Sequence, residues 1–285
     1  MTTSNAAERF HRSLRTLCRR MRVAFALRLA FFVTVGKRFT GQPIFVNQEP
    51  RASELSCGLA IVLPGIEAAG PFPQAICQGI RNSPWRGAVE IFYWGIPFPE
   101  GYFPNVIWLK RNQYQAAGLA QKIQDYQKAY PGRPVHLFGN SAGAGIALLA
   151  VERLPITSPI DSLVFLQGAV SPNHDLTIAL DRVKKGILNC CSHRDWMVLA
   201  LGTFIFGTID RRHCVAAGCR GFHIPTQPEK RRLYMEKLVQ KKWVPEWIDL
   251  YDHWGSHGSS TSHKFISQLV MPWLLHDTAP VPPAN

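Results

Sequence analysis

The sequence predicts an α/β fold with a mostly parallel central sheet and helices on both of its faces. From about residue 58 onward, short apolar runs recur with little alternation of apolar and polar residues, as in strands that are buried on both faces. Segments of helix-forming composition separate these runs, and Pro-Gly pairs close elements at 64–65 and 131–132. Strands that alternate with helices indicate a parallel sheet with helical crossovers.

The first half of the predicted domain contains two strand–helix pairs. The first strand, Leu59–Leu63, ends at the Pro64-Gly65 turn and is followed by a helix over residues 72–82. The second strand, Ala88–Trp94, precedes a helix over residues 113–130, which stops at a Pro-Gly pair. Both pairs have the composition of βα units in a parallel sheet.

The second half contains three further strands. Pro134–Phe138 is followed by a small-residue turn and a helix over Ala144–Leu154. Ser162–Leu166 and Ile187–Cys191 complete a series of five strands. An apolar helix follows the fifth strand and ends by Asp210. The strands that would open a larger sheet are not recognisable in residues 39–57, so we expect a trimmed sheet.

The net charge of the chain is unevenly distributed. The 285 residues include 32 Lys+Arg and 19 Asp+Glu, a formal charge of +13, of which residues 1–38 contribute +8 and the remainder +5. A basic helix predicted over Glu229–Trp243 is typical of a solvated helix face, so we expect no nucleic-acid partner. With 46% hydrophobic and 18% charged residues, the composition excludes a disordered or collagen-like chain. The sequence contains no run of eighteen apolar residues, which excludes a multi-spanning membrane protein.

Residues 1–38 form a basic tail ahead of a domain over residues 39–285. Apolar residues recur at helical spacing between Phe10 and Met21, and arginines lie on roughly the opposite face, a basic amphipathic helix. The apolar stretch Val23–Val35 would reach only about 20 Å as a helix, short of the ~30 Å of a bilayer core. We expect the tail to bind an anionic membrane surface; a targeting segment and a helix packed on the domain are the alternatives.

Seven cysteines do not allow a complete disulfide framework, because the number is odd. The sequence also contains no CxxC motif. Free, buried thiols are typical of a reducing compartment. His213, Cys214 and Cys219 lie close together in the sequence, but such clusters are mostly incidental, and we predict no metal site. The expected location is the cytoplasm, with membrane association or targeting through the tail as open possibilities.

The motif with the clearest chemistry is Gly139-Asn-Ser-Ala-Gly143, which matches G-x-S-x-G between a predicted strand and a predicted helix. In this nucleophile elbow, Gly139 and Gly143 allow the backbone to approach closely while Ser141 is held in a strained conformation. The helix amino terminus adds a positive dipole at the serine. We expect the amides of Ala142 and, after Gly65, Ile66 to form the oxyanion hole.

A nucleophilic serine needs a base, and the base needs an orienting acid. Asp195 lies just beyond the fifth strand, at the edge where sheet enzymes place their sites; Asp175 and Asp210 are the alternatives. His257 lies in the small-residue loop Gly255–Gly258, which leaves the imidazole free to reach the serine. His253 is the alternative base, whereas His263 is typical of a first-turn helix surface.

Several stretches of the sequence resemble the α/β-hydrolase superfamily, and in particular a group of uncharacterised bacterial α/β-hydrolase-like proteins. The stretches that carry the resemblance are Tyr130-Pro-Gly-Arg-Pro-Val-His-Leu-Phe-Gly-Asn-Ser-Ala-Gly-Ala-Gly145, Val170-Ser-Pro-Asn-His-Asp-Leu176, Ser192-His-Arg-Asp195, Gly207-Thr-Ile-Asp210 and His253-Trp-Gly-Ser-His257. The resemblance covers roughly residues 58–276. It implies an α/β-hydrolase fold, a triad of Ser141, Asp195 and His257, and no required cofactor.

The expected function is that of an esterase- or lipase-like serine hydrolase that acts on a small-molecule ester or related acyl compound. Two other functions stay open: a non-catalytic binding or membrane-associated protein that kept the fold, and an acyltransferase that uses the same triad. The aromatic residues expected to line an apolar acyl pocket are Trp94, Phe98, Tyr102 and Phe103. The chemical identity of the acyl group and the oligomeric state do not follow from the sequence.

Overall fold

The computed structural model of the chain describes residues 49–97 and 100–275. The predicted tail over residues 1–38, the following residues up to 48, and Phe98 lie outside these ranges. Within them, no helix combines the length and the apolar composition needed to cross a bilayer.

A single sheet of parallel strands forms the centre of the described structure. Its strands are β1 (Leu59–Leu63), β2 (Ala88–Ile91), β3 (Val135–Asn140), β4 (Ile160–Leu166), β5 (Val183–Cys191) and β6 (Leu238–Lys242). Their order across the sheet is β2-β1-β3-β4-β5-β6, and each neighbouring pair is parallel. The predicted parallel α/β architecture is confirmed.

Helices connect the strands and lie around the sheet. The α-helices are α1 (Ala52–Leu55), α2 (Pro71–Arg81), α3 (Tyr102–Ile107), α4 (Leu109–Ala129), α5 (Ala142–Val151), α6 (Thr177–Asp181), α7 (Thr203–Phe206), α8 (Ala217–Arg220), α9 (Pro228–Lys237), α10 (Trp247–Tyr251), α11 (His263–Phe265) and α12 (Met271–Leu275). A π-helical segment, Met197–Gly202, leads directly into α7. A 3-10 turn, Ser259–Thr261, precedes α11, and a second π-helical segment, Ile266–Val270, joins α11 to α12.

The strands are apolar on both sides because helices cover both faces. All five residues of β1 are buried, and its alternate residues Leu59, Ile61 and Leu63 share one core cluster with the apolar faces of α4 and α5. On α2, Gly79 packs against the carboxyl-terminal helical segment: a Cβ built there would lie 2.5 Å from the Cβ of Ile266. This close packing accounts for the near-continuous apolar runs in the sequence.

The structure corrects two predicted elements. The helix predicted over Glu229–Trp243 ends at Lys237, and residues Leu238–Lys242 form the edge strand β6, in register with Ile187–Cys191. Pairing with β5 satisfies the backbone there, and such tertiary hydrogen bonds override a local helical composition. The second strand ends at Ile91 rather than Trp94, because the chain then turns over β1 and the indole of Trp94 donates to the Pro64 carbonyl at 2.8 Å.

Candidate active site

Ser141 lies in the turn between β3 and α5, at the carboxyl end of the sheet. Its backbone has φ 50° and ψ −117°, a sparsely populated conformation for a residue with a side chain. Two hydrogen bonds hold it there: Ser141 N–H donates to the Leu166 carbonyl at 3.0 Å, and Ala169 N–H donates to the Ser141 carbonyl at 2.9 Å. The surrounding backbone therefore imposes the strained geometry on the serine.

Gly139 and Gly143 flank Ser141, and the turn requires glycine at both positions because other backbone atoms lie very close to each of them. A Cβ built on Gly139 would lie 2.6 Å from the amide nitrogen of Ala144. A Cβ built on Gly143 would lie 2.5 Å from the carbonyl oxygen of Leu63 and closer still to that of Pro64. Contacts this short do not occur between real atoms, so only glycine lets α5 begin beside β1 in this turn.

The amides predicted to bind an oxyanion lie at the same place. Ile66 and Ala142 both line an apolar pocket that Ser141 also lines. A Cβ built on Gly65 would lie 3.2 Å from Ser141 Cβ, so the loop after β1 passes directly over the serine. Ala142 is the first residue of α5, where amide groups have no partner within the helix. Both residues therefore lie at the pocket beside Ser141, and their role as oxyanion donors stays a prediction.

The structure brings Asp195 and His257 together. His257 Nδ1 lies 2.6 Å from Asp195 Oδ2, a short charge-assisted hydrogen bond. Asp195 is buried, whereas a quarter of the His257 side chain is exposed, which leaves its other ring edge accessible. No hydrogen bond joins Ser141 to His257 in the described contacts.

The alternative residues have other partners. Asp175 is exposed and pairs with Lys230, and Asp210 lies 3.2 Å from His174. His253 is buried; its Nδ1 accepts a hydrogen bond from the Gly255 amide and lies 2.8 Å from the Ser259 hydroxyl oxygen. His253 therefore stabilises the loop that carries His257, while His257 is the histidine that contacts Asp195.

Gln167 is a residue of the site that the sequence analysis missed. It follows β4 with φ 48°, and its side-chain amide donates to Asp195 Oδ2 at 2.9 Å, the same oxygen that binds His257. The same side chain accepts a hydrogen bond from the Ser260 amide at 3.3 Å. Gln167 thus connects the acid to the loop after His257, and nothing in its local sequence indicates this role.

Replacing Gln167 by alanine is expected to lower kcat about tenfold for the ester hydrolysis that the sequence predicts, because Asp195 loses the donor that fixes its orientation. The pH dependence of kcat/KM should shift at the same time, since the Asp195–His257 pair changes. Steady-state kinetics across pH, with thermal unfolding as the control for folding, measure both effects. An unchanged pH profile in a folded Gln167→Ala variant would contradict the positioning role.

Glu67 brings a second carboxyl group to the site. Its Oε1 accepts a hydrogen bond from the Gly65 amide at 3.0 Å, so the carboxyl group lies on the loop that covers Ser141. Burial raises the pKa of Glu67, while hydrogen bonds to the Glu67 and Gly65 amides and the charge of His257 oppose the shift. The sequence pattern indicated only the Ile66 amide in this loop, and no local pattern indicated the Glu67 carboxyl group.

The charges around His257 raise its basicity. Burial lowers the pKa of His257, but the hydrogen bond to Asp195 and the charges of Asp195 and Glu67 outweigh it and raise the pKa above the ordinary histidine value. A general base acts in its neutral form, so activity should fall as the pH drops through this raised pKa. With His257 as the base, we therefore expect the acidic limb of the pH–rate profile above the ordinary histidine value of 6.5.

Replacing Glu67 by glutamine is expected to move that acidic limb to lower pH, because the variant removes a negative charge that stabilises protonated His257. The amide can still accept the Gly65 hydrogen bond, so the loop is retained. The measurement is kcat/KM against pH for wild type and Glu67→Gln. A limb at the same pH in both proteins would show that Glu67 carries no charge felt by His257.

The pocket at Ser141 is mainly apolar and extends toward two helices. Its wall is formed by Phe103 and Val106 of α3, and by residues between 198 and 207 that include Val198, Leu199 and Phe206. Of the aromatic residues predicted to line an acyl pocket, Phe103 does so, whereas Trp94 is buried in the core. Within residues 49–97 and 100–275, no group of His, Cys, Asp or Glu is arranged to hold a metal ion.

Comparison with protein-family models gives no match, and comparison with curated proteins gives none either. Solved structures with a similar chain path include a dienelactone hydrolase from Anabaena variabilis, with 17% identity and a TM-score of 0.43 over 80% of this chain and 88% of that one. Carboxyl esterase 2 from the fungus Tuber melanosporum has 11% identity and a TM-score of 0.42 over 76% and 73%. A Trichoderma reesei cutinase has 12% identity and a TM-score of 0.37 over 82% and 85%.

The sheet order and the position of the strained serine are properties of this chain alone. The strands are all parallel in the order β2-β1-β3-β4-β5-β6, and the turn with the strained serine follows β3, at the centre of the sheet. A strand–serine–helix turn at this position is the feature around which α/β-hydrolase sites are built. The described residues form an α/β fold with a parallel six-stranded sheet and a strand–serine–helix turn at its centre.

Proposed function

We propose that the protein is a serine hydrolase that cleaves a carboxylic ester or a related acyl compound through an acyl-enzyme. The observation that carries this proposal is the 2.6 Å hydrogen bond between His257 and Asp195, at the sheet edge where Ser141 has its strained backbone. This arrangement supplies a nucleophile, a base and an orienting acid in the roles that acyl transfer requires.

In the proposed reaction, Ser141 Oγ attacks the carbonyl carbon of the ester while His257 Nε2 accepts the hydroxyl proton. The amides of Ile66 and Ala142 bind the oxyanion of the tetrahedral intermediate, and the dipole of α5 favours the same negative charge. The C–O bond to the alcohol breaks as His257 returns the proton to the leaving oxygen. Water then attacks the acyl-enzyme by the same steps and regenerates Ser141.

The pocket supports an apolar acyl group. Phe103, Val198 and Phe206 offer hydrocarbon surface beside Ser141, and a methylene buried there contributes about 0.8 kcal/mol. We expect kcat/KM to rise with acyl chain length until the pocket is filled. Transfer to an alcohol in place of water is the second outcome to measure, since it needs the same residues.

A fluorophosphonate probe tests the proposal, because it reacts covalently with an activated serine. Wild type should be labelled once, at Ser141 by peptide mapping, and the Ser141→Ala variant should not be labelled although it folds. A series of 4-nitrophenyl esters of increasing acyl length, with and without an added alcohol, then defines the acyl group and the acceptor. Absence of both labelling and ester cleavage in folded wild type would favour a non-catalytic protein.

A further inference from the structure

The helical segment that covers the pocket is apolar on every side. Residues Trp196–Phe206 are eleven consecutive residues without a charged side chain. Val198, Leu199 and Phe206 line the pocket, whereas Met197 and Phe204 are 66% and 62% exposed. A helix that is hydrophobic all round is normally buried, yet this one presents its outer side to solvent.

This exposed apolar surface continues onto α3 across the mouth of the pocket. Phe103 is 56% exposed and its ring meets Phe206 with centroids 6.0 Å apart. Ile107 and Trp108 are also exposed. The exposed apolar side chains of residues 103–108 and 196–206 are called the apolar rim. Contiguous apolar patches of this kind, bordered by polar residues, mark interaction surfaces.

Cationic side chains border the apolar rim. Arg211 and Arg212 are exposed, and Arg211 Nη1 lies 3.5 Å from the Val106 carbonyl oxygen, beside α3. His213, the residue after Arg212, has its Nδ1 3.1 Å from the Phe204 carbonyl oxygen. Arg194, two residues before Trp196 in the chain, is also exposed, and its guanidinium lies 4.9 Å from the centroid of the Trp243 ring. An apolar surface bordered by arginines has the chemistry that binds anionic lipid headgroups.

We propose that the apolar rim docks on an anionic lipid surface, so that the pocket at Ser141 opens toward the lipid and the ester is taken from the lipid–water interface. The substrate class that follows, a long-chain acyl ester, rests on the proposed hydrolase function. Two other candidate partners of the apolar rim are positively charged, and the arginines at its border would repel them. Residues 1–38 of this chain carry +8, and a second copy of the chain would present the same arginines. An anionic lipid surface complements both the apolar residues and the charge.

The test uses the full chain with three exposed residues of the apolar rim outside the pocket lining changed together: Met197→Gln, Leu201→Gln and Phe204→Gln. The matched control is Ile156→Gln, Ile178→Gln and Met235→Gln. These three residues have similar exposure and precede β4, β5 and β6 in the chain, toward the amino-terminal ends of the strands. Because both variants keep residues 1–38, the contribution of this segment to binding is the same in each.

Binding is measured by co-sedimentation with vesicles of phosphatidylcholine, with and without phosphatidylglycerol. We expect the rim variant to bind the anionic vesicles at least about tenfold more weakly than wild type and control. Hydrolysis of 4-nitrophenyl palmitate in those vesicles should fall in parallel, while hydrolysis of soluble 4-nitrophenyl acetate stays within about twofold of wild type.

Two outcomes would overturn the proposal. One is equal binding and equal palmitate hydrolysis by the rim and control variants. The other is a wild-type dimer that the rim substitutions dissociate, with vesicle binding unchanged, which would assign the apolar rim to a second copy. If folded wild type does not cleave the acetate ester, the hydrolase function fails instead, and the vesicle-binding comparison still decides whether the apolar rim binds lipid.

Discussion

Replacing His257 by glutamine is expected to lower kcat for ester hydrolysis by about a thousandfold or more, because Ser141 loses its proposed general base. His257 is part-exposed and its observed partner is Asp195, so the fold should tolerate the change. The oxyanion donors Ile66 and Ala142 are retained, and a low residual rate above the uncatalysed reaction should persist. Steady-state kinetics with a short soluble ester, together with thermal unfolding, measure both quantities.

The matched control is His253→Gln, because His253 was the alternative base. Burial lowers the pKa of His253 to about 3, so the ring is neutral; it accepts a hydrogen bond from the Gly255 amide and lies 2.8 Å from the Ser259 hydroxyl oxygen. Removing these buried contacts should lower the free energy of unfolding by about 2 kcal/mol. We expect this variant to keep substantial activity per folded molecule. A thousandfold loss in His253→Gln with normal rates in His257→Gln would reverse the assignment of the base.

Replacing Gly143 by alanine is expected to have the largest effect on stability. Alanine gains up to about 1 kcal/mol over glycine in a helix, but here its Cβ would overlap the carbonyl oxygens of Leu63 and Pro64. Because both obstacles are backbone, α5 or β1 must move, and overpacking of this kind costs about 3 kcal/mol. Denaturant unfolding should show this loss, and activity should fall with it because Ser141 and the Ile66 loop separate.

Gly118→Ala provides the control for the same chemical change. Gly118 lies in the interior of α4, and a Cβ built there has no atom within 4 Å. The variant should therefore gain about 0.5–1 kcal/mol of stability from helix propensity alone. If Gly143→Ala were as stable as Gly118→Ala, the close approach of α5 to β1 would not be a constraint on the elbow.

The sequence was most informative where a function depends on neighbouring residues. The turn around Ser141 could be predicted because the strand, the two glycines and the helix follow one another within the chain. Asp195 could be proposed because it follows a recognisable strand, and His257 because it lies in the small-residue loop Gly255–Gly258. Their 2.6 Å contact joins residues 62 positions apart, and only the folded sheet shows that distance.

The sequence was least informative where a role depends on the direction of a side chain. Gln167 and Glu67 each lie beside a residue or loop that the sequence analysis considered, yet no local pattern indicates that their polar groups turn toward Asp195 and His257. The strand β6 was mistaken for a helix for a related reason. Its lysine-rich sequence predicts exposure, whereas its conformation is set by hydrogen bonds to β5.

By itself, the sequence determined the α/β architecture, the strained turn at Ser141 and an apolar helix after the fifth strand, because these depend on periodicity and on residues adjacent in the chain. Only the tertiary structure decided which side of that helix faces the pocket, which acid and histidine meet, and which polar groups surround them. Those properties depend on contacts between distant segments, whose distances and directions are set by packing of the whole domain.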